Sequence, residues 1–475
     1  MRFIPEAGAA PPPARQRLEA ALLDRLEHGS PAERGPPPGA FGPAYPYGEA
    51  EGHGAQGNGG DRRPEVDGAA AGWGVPAVAA GDLTPAAFAA DYLLKNRPVL
   101  IRDVFGGGAT WPCVAEWTTA AGGIAIDRLE RAFGEARVTV TTCEPAGSAR
   151  PPRSAPFADV CREWREREAS EGRAEGRAPQ YVKDWHVAQE WPRPDGDPYY
   201  TTPTYFQDDW LNGGKDLSGR QDGHDHRFVY MGEVGTYTPL HADVLRSFSW
   251  SVNVAGRKRW ALVPPELSWC LFAANGDRAA SFADDPARFP HLGLAAARAL
   301  EVDQGVGEAL FVPSGWFHRV ENVEATLSVN HNWLNAANCR WGWALLRRDF
   351  REAAARIEDC RALCRPAEFR ALVFENLKLN SGLDLADFAE LLCAGLGELP
   401  RWRALETRLE RLQAGWQAVE VARVLEELFA EVEEVLGPAG DAGGGGDGEG
   451  RLGRAKAVLR ERIAPYAARA LAAFQ

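Results

Sequence analysis

The chain predicts a mainly β core, an antiparallel sandwich or barrel, with N-terminal helix and strand additions and a C-terminal α-helical region. Three observations lead there. Between residues 181 and 335 the runs YVKDW, RFVYMG, SFSWSVNVAG, KRWALVPP, ALFVPSG and ATLSVNHNWL follow one another, separated by Gly, Pro and Asn. Short strands punctuated in this way read as an antiparallel sheet protein. Within SFSWSVNV, small polar and bulky apolar residues alternate, the period of a strand with two unlike faces. Beyond Trp341 the period changes. Leu405, Leu409, Leu412, Trp416 and Val419, then Leu425, Leu428, Val432 and Val435, recur at helical spacing.

In chain order, residues 1–80 are rich in Ala, Gly and Pro and read as a low-complexity, disordered segment with a short helix over 15–28. An ordered unit is expected over 81–340. It opens with a helix ending near Lys95, a buried strand over Pro98–Arg102 and a strand over Arg137–Thr142; residues 144–179 read as loop plus a charged helix. The helical region spans 341–436, GPAGDAGGGGDGEG at 437–450 reads as a linker, and 451–475 as a last helix.

With 53 Lys and Arg against 66 Asp and Glu, the formal charge is −13, which argues against a general electrostatic hold on nucleic acid. The eight Cys form no C-x-x-C pair and read as reduced thiols. The first residues lack the apolar run of a signal peptide, and no run has the length of a membrane span. A soluble intracellular protein is expected.

The stretch TPLHADVLRSFSW, 238–250, sets His241 and Asp243 one residue apart at the end of a strand. In GEALFVPSGWFHRVENVEATLSVNHNW, 307–333, His318 follows another strand and a Pro-Ser-Gly turn. Two imidazoles and a carboxylate make a facial triad, which holds non-haem iron(II) and leaves three positions open. His186, His224, His226 and His331 compete for the imidazole roles, the middle two in the polar loop 210–226.

Such a centre needs a co-substrate carboxylate anchored nearby. In NVAGRKRWALVPP, alternation sends Lys258 to the face opposite Arg257 and Arg259. If that face is interior, Lys258 requires an anion; a solvated hairpin turn is the alternative. Ser247, Ser249 and Ser251 share one strand face and Phe248, Trp250 and Val252 the other, so the serines either leave room for a ligand or mark the wetter face.

These runs, with TYFQDDWLN and YLLKNRPVLIRD, resemble the JmjC-domain iron(II)- and 2-oxoglutarate-dependent oxygenases over residues 82–345, and within them the JmjC-domain-containing protein 4 group of lysyl hydroxylases. The resemblance implies a double-stranded β-helix, a jelly-roll, cupin-like barrel, holding Fe(II) at its mouth on His241, Asp243 and His318 as catalytic metal ligands. It implies 2-oxoglutarate paired with Lys258 and contacted by Thr238, Tyr181, Asn330 and Asn332, with Asn330 standing where related hydroxylases often carry Thr. Dioxygen is the other co-substrate, with ascorbate as a supporting reductant. The implied partner is the eukaryotic translation termination (release) factor, hydroxylated on a lysine, which places the protein in the cytoplasm, with the nucleus as alternative. Relatives also suggest a homodimer through the C-terminal helices. No nucleic-acid or membrane partner is expected. Asp208 and Asp209 are the acidic groups near in sequence to balance a substrate ammonium, and Trp185, Tyr230, Trp316 and Trp333 the aromatic lining. Histone lysine demethylation, hydroxylation of another side chain and a non-catalytic cupin-like scaffold stay open.

Overall fold

The computed structural model describes residues 12–28, 74–106, 111–143, 151–169, 178–212, 225–437 and 447–474. Its strands are β1 (Ala77–Ala79), β2 (Val99–Arg102), β3 (Arg137–Thr142), β4 (Arg153–Pro156), β5 (Gln180–Trp185), β6 (Arg227–Gly232), β7 (Tyr237–His241), β8 (Phe248–Ala255), β9 (Lys258–Val263), β10 (Leu300–Gln304), β11 (Ala309–Val312), β12 (Phe317–Asn322) and β13 (Thr326–Trp333). They form a nine-stranded sheet in the order β1-β2-β11-β8-β13-β6-β5-β3-β4 and a four-stranded sheet in the order β10-β9-β12-β7.

The expectation of a mainly β, double-stranded β-helix barrel is corrected at this point. Both sheets are open: β1 and β4 end the first, β10 and β7 the second, and no strand ladder among the described residues joins the two. A barrel requires every edge to find a hydrogen-bonded partner, and these edges do not. Helical residues also outnumber strand residues. From Cys339 onward the described chain is helical, through Cys339–Arg356, Pro366–Ser381, Leu385–Leu396, Arg408–Leu436, Asp447–Val458 and Ala464–Phe474, and Pro12–His28 and Phe157–Ala169 lie earlier.

Strand alternation decides which side chains meet the core. In β8, Phe248, Trp250 and Val252 enter the main hydrophobic core, where Phe206 stacks on Trp250 with centroids 5.6 Å apart. The intervening serines face the other way. In β9, Lys258, Trp260 and Leu262 are buried, whereas Arg259 is exposed and pairs with Asp303 of β10 at 3.0 Å. A second, smaller core gathers the residues between β9 and β10, among them Leu267, Leu271 and Phe289, around Phe317 of β12.

The helix Arg408–Leu436 carries the expected apolar stripe, but its partners are in the same chain. Leu412, Trp416, Leu425 and Leu428 are fully buried against helices that include Cys339–Arg356, Ala464–Phe474 and Pro12–His28. The stripe is therefore no free face for a second copy. Buried Glu420 meets Arg340 at 3.3 Å, and Arg340 also reaches Glu427 at 3.0 Å. Trp343 Nε1 donates to Glu427 at 2.9 Å. These contacts tie the first C-terminal helix to the longest one.

One turn joins that helical region to the sheets. Gly315 has φ 78, and a Cβ placed on it would lie 2.5 Å from the Trp341 ring; only glycine accepts both conditions. Asn96 clamps the same turn, donating to Ser314 O at 2.8 Å and accepting from Ser314 N at 3.1 Å. Trp316 Nε1 donates to Asn96 O at 2.9 Å. Gly315→Ala is expected to lower the unfolding free energy by about 2–4 kcal/mol, from left-handed strain plus overlap with the indole. The measurement is the urea midpoint; an unchanged midpoint contradicts the packing argument.

Candidate metal centre and its cavity

β7 and β12 pair antiparallel with His241 directly opposite His318. The rings stand 4.2 Å apart between centroids. Asp243 follows β7 by two residues, before a tight turn in which Leu245 and Arg246 adopt φ 53 and 51. One ligand atom from each of His241, Asp243 and His318 lies within 4.8 Å of the other two. The three therefore converge on a single point, His318 standing inside β12 after the strand β11 and the Pro-Ser-Gly turn.

Backbone carbonyls orient both imidazoles. His241 Nδ1 donates to Pro239 O at 2.8 Å and His318 O at 3.1 Å, and His318 Nδ1 donates to Trp316 O at 3.0 Å. With Nδ1 carrying the proton, Nε2 of each ring keeps its lone pair for a metal. Burial, and then the neighbouring His318, hold the pKa of His241 down at about 3, so the ring is in the neutral, ligating form. Ser249 Oγ donates to Asp243 Oδ2 at 2.8 Å, fixing one carboxylate oxygen. Such a donor set fits a divalent iron.

The triad opens into a cavity of about 320 Å³ between the two sheets, lined by residues of β5, β6, β8 and β13 on one side and β7, β9 and β12 on the other. Tyr181, Thr238, Lys258, Asn330 and Asn332 all line it. Lys258 is fully buried and donates to Ser328 Oγ at 2.6 Å. Burial, with a smaller contribution from Lys183, lowers its pKa to about 7. Among the described residues it makes no salt bridge. Burial raises the pKa of the Tyr181 hydroxyl. Asn330 Nδ2 donates to the same Ser328 Oγ at 2.9 Å, and Asn332 Nδ2 to Ser247 Oγ at 3.2 Å.

The competing histidines go elsewhere. His331 shares a hydrogen bond with the Tyr200 hydroxyl at 2.8 Å and lines a different cavity. His186 lies 3.6 Å from Asp225, neither it nor His226 lines the triad's cavity, and His224 lies outside the described residues. Asp208 and Asp209 do not line it either. Both are half-buried, and loss of hydration raises their pKa values to about 7 and about 6. Of the four aromatic residues expected as lining, Tyr230 alone is there; Trp185 and Trp333 belong to the main core, and Trp316 to a small cluster with Trp260 and Val320. Sequence reading missed Lys183 and Asp184 in YVKDW, which line the cavity from β5. A basic and an acidic residue in a strand otherwise buried were the available signal.

The cupin-like domain family matches residues 85–339, more than half of the chain. The chain is 37% identical to the Arginine-specific demethylase JMJ20 of Arabidopsis thaliana over 63% of its own length and 65% of that protein's. It is 36% identical to the 2-oxoglutarate and iron-dependent oxygenase JMJD4 of Danio rerio over 64% of this chain and 71% of that one. With the protein of that name from Homo sapiens it shares 35% identity over 59% and 66% of the two chains. The convergent triad and these matches lead to one conclusion: the chain belongs to the JmjC, cupin-like family of 2-oxoglutarate- and iron-dependent oxygenases.

Proposed function

We propose that this oxygenase is a protein hydroxylase that acts on a lysine side chain of the eukaryotic release factor. The observation that carries the reading is one cavity with two complementary ends: three converging metal-ligand atoms, and a buried Lys258 that makes no salt bridge among the described residues. His241, Asp243 and His318 would hold the iron, and Lys258 the distal carboxylate of 2-oxoglutarate. The chemistry that iron(II), 2-oxoglutarate and dioxygen supply when bound is replacement of a C–H by a C–OH, one oxygen atom going to the substrate and one to succinate, with loss of carbon dioxide. The protein's part is to orient, to exclude water and to neutralise charge. Thr238, Tyr181 and Asn332 line the same cavity, and Asn330 shares the Ser328 hydroxyl with Lys258.

The likeness to 2-oxoglutarate and iron-dependent oxygenases of several animals supports the oxygenase part of this reading, and the proposed place of action is the cytoplasm. A second reading, demethylation of a methylated basic residue, is favoured by the name of the Arabidopsis relative. Both begin with the same C–H oxidation, so the product separates them. A non-catalytic scaffold has no use for an intact triad facing a buried lysine.

Incubation with iron(II), 2-oxoglutarate, ascorbate and release factor is expected to add one oxygen atom to a lysine, read by mass spectrometry. Loss of a methyl group from a methylated histone peptide instead selects the second reading. His241→Ala or Asp243→Ala is expected to reduce bound iron and turnover by more than the about 10–100-fold that loss of an outer-shell partner costs. Circular dichroism should stay unchanged, and retained full activity would sink the metal assignment.

Lys258 gives a pH dependence of known sign. The ammonium is the form that pairs with a carboxylate, and in the unliganded protein it titrates at about 7. Above that pH, binding must first load a proton. Affinity for 2-oxoglutarate is therefore expected to fall as pH rises above 7, by at most about tenfold per unit, with proton uptake visible by calorimetry in buffers of different ionisation enthalpy. Lys258→Ala removes the proton uptake and raises KM for 2-oxoglutarate by about tenfold or more. A flat pH profile in the unsubstituted protein contradicts the assignment.

A further inference from the structure

The strand β5 carries an irregularity that serves the cavity. Val182 and Trp185 both pack in the main core, although their parity would send them to opposite faces of a regular strand. The pairing of β5 with β6 shifts between these two residues, and Asp184 takes φ 53. This is a β-bulge, which inserts one residue and re-aims a side chain. Its effect is to bring both Lys183 and Asp184 to the cavity side. A left-handed aspartate costs about 1 kcal/mol or more, a strain that a purely structural strand has no need to keep.

The environment of Asp184 is that of a cation receptor. The residue is exposed, so it stands at the cavity mouth. The Tyr230 hydroxyl donates to its Oδ1 at 2.8 Å, which fixes the carboxylate and leaves Oδ2 to accept. Among the described residues Asp184 makes no salt bridge. Phe228 and Tyr230, half-buried, stack beside it with centroids 6.0 Å apart and planes 5° from parallel, and such ring faces attract a cation. Lys183 makes no salt bridge with Asp184 although it feels its charge; its ammonium donates to Tyr237 O at 3.3 Å and lies 4.7 Å over the Tyr181 ring.

We infer that Asp184, together with the Phe228 and Tyr230 rings, is the specificity-determining group that receives the cationic end of the substrate side chain at the mouth of the cavity. The inference rests on the oxygenase reading above and deepens it. It assigns the selection of a basic residue to a carboxylate outside the metal's reach.

The test uses the full chain loaded with iron(II) and 2-oxoglutarate, comparing wild type, Asp184→Asn and Asp184→Glu. The substrates are full-length eukaryotic release factor and pools of synthetic peptides centred on Lys, Arg or norleucine. Binding of the same pools to manganese(II)-loaded protein gives a readout without turnover. Asp184→Asn is expected to raise KM for release factor about tenfold to a hundredfold while KM for 2-oxoglutarate moves by less than about twofold, with partial rescue by Asp184→Glu. Wild type is expected to bind the Lys or Arg pool in preference to norleucine, and Asp184→Asn to lose that preference. Hydroxylated release factor with an unchanged KM in Asp184→Asn overturns this inference and leaves the function standing, as does equal binding of all pools by wild type. Release factor left unmodified by wild type, with cationic pools still bound through Asp184, does the reverse.

Discussion

The antiparallel register of β7 on β12 is the constraint on which the site depends. It places His241 opposite His318, and a slip of one residue would turn one imidazole to the far face of the sheet. Several features hold the register. On its other edge β12 is laddered to β9 along its whole length, from Phe317 opposite Val263 to Asn322 opposite Lys258. Phe317 anchors in the small core between β9 and β10. The carbonyl of His318 itself accepts from His241 Nδ1, so the same pairing that aligns the rings also sets which nitrogen is free. The register that places the two histidines also brings Lys258 level with Asn322, whose side chain donates to Thr236 Oγ1 at 2.8 Å. Both ends of the cavity are thus set by one strand.

Charge is ordered along that cavity. Lys183 stands by Tyr181 and Tyr237 and Lys258 by Tyr230 and Trp260, and burial lowers the pKa of each. Asp243 stands with the imidazoles and Asp184 at the mouth. Two ammonium groups facing one enclosed space are costly unless an anion joins them, and a dicarboxylate with one end on a metal supplies that charge. The two acids divide the remaining work, Asp243 as a ligand and Asp184 for a positive group arriving from solvent.

The features legible in the sequence are those set by local periodicity. His241 and Asp243 were readable as an H-x-D pair at a strand end, Lys258 from alternation against two exposed arginines, and the serine face of β8 from its contrast with Phe248 and Trp250. Features set by the meeting of distant segments were not. Nothing in the sequence of β7 or β10 says whether its outer edge finds a partner, so the open sheets were unreadable. The stripe from Leu409 to Val432 announced a helix but not that its partners lie in the same chain. Asp184 was hidden because a bulge breaks the very parity on which strand reading relies. The place of His318 was readable too, on a strand that follows β11 and the Pro-Ser-Gly turn.

The helical share of the chain bears on the site as well. The residues after Asp243 run through the left-handed pair Leu245 and Arg246, a conformation that costs about 1 kcal/mol per residue and persists only where packing imposes it. That packing comes from the helix Cys339–Arg356 and its neighbours. At Gly342 a Cβ would stand 3.4 Å from Leu245 O and 3.2 Å from the Phe388 ring, and the Arg246 guanidinium lies 4.8 Å over Phe317, next to His318. The same helix presents Trp341 to Gly315 in the turn before β12. One helix therefore braces the segment that follows the carboxylate ligand and the turn that precedes the distal histidine. The ligands come from two chain segments far apart in sequence, one carrying His241 and Asp243 and the other His318, and open sheets alone do not hold their ends still. The C-terminal helices supply the rigidity that a closed barrel would otherwise provide.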